Sequence, residues 1–174
     1  MVKKLGKVYI LGDSYSTFKN CIPKGYDTWY SAKVEEKTDV NIKEDTWWYQ
    51  LLKNTESNLI LNDSFSGTTI CNITYNGVYC PDTSFIERFG KRIEEGIFKN
   101  NIPDTFFLFG GTNDSWADSP IPIGELKPEI AEGYVTACRH YDFECIKLQN
   151  IDKTCGHPNK NGMTQIFMQV LNKI

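Results

Sequence analysis

Three stretches of the chain are apolar at consecutive positions and then stop at small or polar residues. They are Val8-Tyr9-Ile10-Leu11 before Gly12-Asp13-Ser14, Leu59-Ile60-Leu61 opening a strand read through Phe65 before Ser66-Gly67-Thr68-Thr69, and Phe106-Phe107-Leu108-Phe109, in a strand read from Thr105, before Gly110-Gly111-Thr112-Asn113-Asp114. Runs apolar on both faces fit central parallel strands covered by helices on either side. Between them the spacing turns helical. Asp45-Thr46 reads as a cap for a helix with Trp47, Trp48, Leu51 and Leu52 on one stripe. Residues 84–96 carry Phe85, Ile86, Phe89 and Ile93 with charges between them, 129–141 reads as a helix, and 161–174 places Met163, Ile166, Phe167, Val170 and Leu171 inward. A fourth strand is expected at 143–148. The alternation predicts an α/β fold, a three-layer sandwich with a flavodoxin-like parallel sheet, in one domain spanning 1–174. In such sheets the ligand crevice lies outside the carboxyl ends of the strands, so the three polar turns should share one site.

The composition narrows the function. Nineteen Lys and Arg against 22 Asp and Glu give a formal charge of −3, which leaves no basic field to hold a nucleic acid. No apolar run approaches a membrane span, and a few residues before the first strand leave no room for a signal peptide, so the expectation is a cytoplasmic protein with no membrane partner. The six cysteines form no CxxC pair; reduced, mostly buried thiols are expected, without zinc.

The candidate chemistry sits at the strand ends. Ser14 closes the first strand, and a serine hydroxyl needs an adjacent base to become a nucleophile. Two histidines exist, His140 and His157. His140 falls near a helix end, where a cation complements the dipole. His157, between Gly156 and Pro158 in a polar loop, is the expected base. Residues 17–45 form a long turn-rich loop following Ser14, whose Trp29 and Tyr30 either wall a substrate cleft or pack the loop onto the body.

These motifs together, GDS at the first strand, a glycine after the second, G-x-N-D after the third and a late His-Pro, resemble the SGNH (GDSL-type) hydrolases. The resemblance implies Ser14 as nucleophile and His157 as general base. It also implies an oxyanion hole from the backbone N–H groups of Ser14 and Gly67 and the Asn113 side chain, with no metal or cofactor. Two departures stand out. The family's aspartate three residues before the histidine is replaced by Thr154, leaving either a Ser-His dyad or a triad rebuilt with Asp152. The stretch after Asp114 is proline-rich and too short for the helix and strand that the family places there, so one βα unit is missing. The expected sheet order is then 2-1-3-4, with 143–148 pairing directly against 105–109 and carrying His157 to Ser14. The other outcome is a displaced C-terminal half that pairs across a homodimer.

The reading that follows is a serine esterase acting on a small-molecule ester through an acyl-enzyme on Ser14, with acetylated carbohydrate as one substrate class. The alternative is a catalytically degenerate binding module on the same fold, recognising a glycan or a protein partner.

Overall fold

The structure, a computed structural model, describes residues 3–32, 38–72, 78–116 and 128–174. A three-stranded parallel sheet lies at its centre. Strand β1 (Lys7–Gly12) is flanked by β2 (Asn58–Ser64) and β3 (Thr105–Phe109), in the order β2-β1-β3. Val8 to Leu11 are at most 2% exposed, as continuous apolar runs in a doubly covered strand should be.

The pleat sends alternate β1 side chains into two separate cores. Val8 and Ile10 pack with α1 (Trp47–Asn54) and α5 (Lys160–Leu171), where Trp47, Leu51, Met163 and Ile166 are buried. Tyr9 and Leu11 face the other layer, α2 (Phe85–Glu94). That is the three-layer sandwich. The helices start where side chains can satisfy their free N–H groups: Thr46, Ser84 and Asn159 each accept a backbone bond as N-cap.

The inward face of α2 differs from expectation. Phe85, Arg88 and Arg92 are buried, whereas Ile86 and Ile93 are 61% and 56% exposed. Both guanidiniums are drawn inward by acceptors. Asp63, itself buried, receives Arg92 Nε and Nη2 at 3.1 Å each and the Tyr9 hydroxyl at 2.7 Å. Arg88 donates to the carbonyls of Gly12, Asp63 and Thr83 and to the Thr68 hydroxyl. A buried cation needs such saturation.

The expected fourth strand does not form. Among the described residues β3 pairs with β1 alone, and 143–148 forms neither helix nor ladder, so the order is 2-1-3 rather than 2-1-3-4. Its side chains found another use: Ile146 and Leu148 pack on the α1 core. Its end is captured by α5, where Gln169 accepts from Gln149 N at 2.9 Å and donates to Gln149 O at 2.7 Å. The preceding helix, α4 (Pro128–Tyr141), leads into this segment, and α3 (Thr112–Trp116) follows β3.

All six cysteines are free, with Cys71 and Cys155 exposed and the others half-buried, so the expectation of mostly buried thiols is not met. Among the described residues no helix is long and apolar enough to cross a membrane.

Candidate active site

Ser14 opens a single 3-10 turn (Ser14–Ser16) directly after β1. Asp13 caps that turn, its Oδ1 accepting from Tyr15 N at 3.0 Å. Gly12 is required by close approach, since a Cβ there would meet Ser64 Oγ at 2.5 Å and Ser16 Cβ at 2.9 Å. The strand therefore ends in a tight knot that presents the serine, 3% exposed, at the rim of the sheet.

His157 arrives from far along the chain on a small hairpin. Strands β4 (Lys153–Thr154) and β5 (His157–Pro158) pair antiparallel around Cys155 and Gly156, whose φ angles of 50° and 76° are those of a two-residue turn with positive φ at both centres. Two residues beyond the histidine, Asn159 caps α5, and Gly162 lets that helix close on the carbonyl of Asp152. The result is a short contact: His157 Nε2 lies 2.9 Å from Ser14 Oγ.

The other ring nitrogen fixes the tautomer. Nδ1 is 3.2 Å from the Cys155 carbonyl, which can only accept, so Nδ1 carries the proton and Nε2 presents its lone pair to the serine. Burial pushes His157 down to about 4, with the Cys155 carbonyl opposing this and Lys153 adding to it. The ring is neutral near pH 7, the state a general base needs.

Among the described residues no carboxylate meets the imidazole. Asp152 is exposed; its carboxylate accepts from Asn161 Nδ2, and its N–H donates to Gln165 Oε1 at 2.7 Å. The rebuilt triad through Asp152 is thus not formed. The hairpin turn, rather than a carboxylate, presents the acceptor to Nδ1.

Aromatic rings surround the histidine instead. Trp29 lies flat on it, ring centroids 3.5 Å apart and planes 6° apart. Tyr15 and Tyr30 approach at steep angles, with centroids at 5.3 and 6.5 Å. Their hydroxyls donate to the two carbonyls flanking the histidine, Tyr15 to Gly156 O and Tyr30 to Pro158 O, each at 2.8 Å. Tyr30 is fully buried; it braces the histidine loop and does not wall a cleft. Thr17 ties Trp29 to the serine, since its hydroxyl donates to Ser14 O and accepts from Trp29 N, both at 2.9 Å. Tyr15 was not singled out in the sequence, because one aromatic beside a GDS carries no periodic signal.

The other strand ends meet here too. Gly67, with φ of 80°, turns the chain after β2. Asn113 Nδ2 donates to Thr68 O at 2.8 Å, which joins the third strand end to the second and uses one of its two amide hydrogens. Asp114 Oδ1 accepts from Ile70 N at 3.0 Å on the same loop. Among the described residues the Oδ2 atoms of Asp13 and Asp114 are buried without a hydrogen-bond partner. Burial raises Asp13 to about 7, against the pull of the Tyr15 N–H.

Among the described residues no cluster of His, Cys, Asp or Glu could hold a metal. A cavity of about 590 Å³ lined by Trp48, Tyr49, Leu52 and Leu59 lies at the opposite, amino-terminal end of β2 and takes no part in this site.

Known proteins resemble this chain in sequence and fold. The family described as GDSL-like Lipase/Acylhydrolase matches residues 6–127 and 121–174. The chain belongs to that family. A crystal structure of a candidate GDSL-like lipase from Bacteroides ovatus ATCC 8483 is 34% identical, covers 97% of each chain and superposes with a TM-score of 0.82. A second, from Bacteroides uniformis ATCC 8492, is 32% identical over 97% of this chain and 95% of its own, also at 0.82. No curated protein matches. Family membership supports ester hydrolysis as the general activity, and neither neighbour's name specifies a substrate.

Proposed function

We propose that the chain is a serine esterase working through a Ser14-His157 dyad. The observation that carries this reading is the 2.9 Å contact between His157 Nε2 and Ser14 Oγ, with Nε2 in its acceptor form. Nε2 takes the hydroxyl proton as Ser14 Oγ bonds to the ester carbonyl carbon. The tetrahedral intermediate then collapses, the bond to the leaving alcohol breaks, and that alcohol takes the proton from Nε2. A water next attacks the acyl-enzyme and gives its proton to Nε2, and the proton returns to Ser14 Oγ as the acid leaves. In this reading the Ser14 and Gly67 N–H groups and the remaining Asn113 amide hydrogen stabilise the oxyanion. Short acyl esters, acetylated carbohydrate among them, are the substrate class we favour.

The test is turnover of p-nitrophenyl acetate against longer-chain esters by wild type and Ser14→Ala. The expected result is preference for the acetyl ester and a loss of at least about 1,000-fold in the variant. A fluorophosphonate probe should label Ser14. Wild-type turnover in Ser14→Ala would remove the nucleophile assignment. A wild-type chain inert to every ester would return the fold to a binding role.

A further inference from the structure

In a Ser-His-Asp triad the buried carboxylate holds the imidazole and stabilises the imidazolium formed when it takes the serine proton. Here, among the described residues, the imidazole has a carbonyl on Nδ1 and no carboxylate, and it is 7% exposed. A ring so buried loses the solvation that a positive charge requires. What it has instead is the indole of Trp29 parallel to it at 3.5 Å. A cation held over an indole face is attracted by the ring quadrupole, most strongly where water is excluded. The stack is also anchored to the nucleophile, because Thr17 bonds both the Ser14 carbonyl and the Trp29 N–H.

We propose that Trp29 is a positioning residue that takes over part of the carboxylate's role, its indole face holding the His157 plane and stabilising the charge that ring carries between the two proton transfers. This assignment rests on the hydrolase reading of Ser14 and His157. Trp29 acts through the base, so its effect belongs in kcat rather than KM.

The experiment replaces Trp29 site-specifically with tryptophans of increasing fluorination, which drain the π face while keeping the shape. His157 is titrated by NMR in substrate-free protein. With His140→Gln as background a single histidine signal remains, since the chain has two histidines. In parallel, kcat and KM for p-nitrophenyl acetate are measured. The expected result is a stepwise fall in both the His157 pKa and kcat, reaching roughly 10- to 30-fold in kcat at full fluorination, the equivalent of up to about 2 kcal/mol, with KM constant within about twofold. A flat titration overturns the proposal, and so does a titration that moves while kcat stays level. A rise in KM alone would make Trp29 a substrate wall and also overturn it. Because the titration needs no turnover, its failure is separable from failure of the esterase reading, which Ser14→Ala decides.

Discussion

Strands β1 and β3 are neighbours in one sheet, yet the chain treats them differently. In β1 every residue from Val8 to Leu11 is buried, and its end is held by three independent grips: Arg88 on the Gly12 carbonyl, Phe65 N–H on the same carbonyl, and Asp13 N–H on Phe109 O. In β3 Phe106 and Leu108 are 40% and 48% exposed, and the outer edge has no ladder partner among the described residues. The missing βα unit would have lain there. The site does not register its loss, because His157 is not delivered across β3. It comes by the opposite route, on a hairpin braced by Tyr15 and Tyr30 from the N-terminal half and continued into α5, which packs on α1. A sheet can therefore lack an edge strand and still keep the Ser14–His157 contact, provided that the histidine loop is tied to the first strand.

The largest expected effect lies on the tight side. Arg88→Met leaves the buried Gly12 and Asp63 carbonyls and Thr68 hydroxyl, and the half-buried Thr83 carbonyl, each short of a donor. Stability should fall by about 3–5 kcal/mol, measured by urea unfolding. A loss below about 1 kcal/mol would mean that the strand ends hold without the clamp.

The next effect is in pH. His157 drops from 6.5 to about 4 on folding and Asp13 rises from 3.8 to about 7. As pH falls from 6.5 to 4 the unfolded chain protonates its histidine while the folded chain does not, which removes about 3 kcal/mol of stability. Over pH 7 to 3.8 the folded chain protonates Asp13 first, which adds about 4 kcal/mol. The two contributions oppose each other. Asp13→Asn deletes the second while keeping the acceptor for Tyr15 N–H, so the variant should exceed wild type at pH 8 and then lose about 3 kcal/mol between pH 6.5 and 4. Parallel wild-type and variant curves would refute this. For the same reason the acid limb of kcat/KM should centre near 4 and not near 6.5, as the base works only when neutral.

Tyr30→Phe is smaller. It removes one hydroxyl from the Pro158 carbonyl and leaves the ring in place, a loss of about 1 kcal/mol. Activity should fall more than stability suggests, by about 10-fold, because small displacements of a base are costly. Equal turnover in the variant would show that the hairpin holds His157 unaided.

Much of this was legible in the sequence, and what was not has physical reasons. The three strand ends could be read because continuous apolar runs that stop at small residues have few other uses, and His157 because one of two histidines lay in a loop. The 143–148 segment read as a strand from the same apolar signal, but Ile146 and Leu148 spend their surface on the α1 core and Gln169 takes the backbone that follows. Arg88 and Arg92 belong to the charges between the apolar positions of 84–96 and carry no local sign of an inward turn, which depends on Asp63, distant in sequence. The roles of Trp29 and Tyr15 depend on a hairpin more than a hundred residues away, and no local pattern encodes that.

The smallest expected effect sharpens the contrast from the loose side. Leu108 lies on the strand that has no outer neighbour among the described residues and is half exposed. A lysine at such a position can keep its alkyl stem on the sheet and its ammonium in water, and edge strands tolerate lysine for that reason. Leu108→Lys should change stability by less than about 0.5 kcal/mol, as surface substitutions do, and leave p-nitrophenyl acetate turnover unchanged. Leu11, the residue paired with it on β1, is 2% exposed, and Leu11→Lys would bury an unpaired charge and should prevent folding. The paired comparison is the measurement, by urea unfolding and by sedimentation. If Leu108→Lys costs as much as a core substitution, or converts a larger species into a smaller one, then β3 is covered in solution by a second copy. The edge would then be an interface.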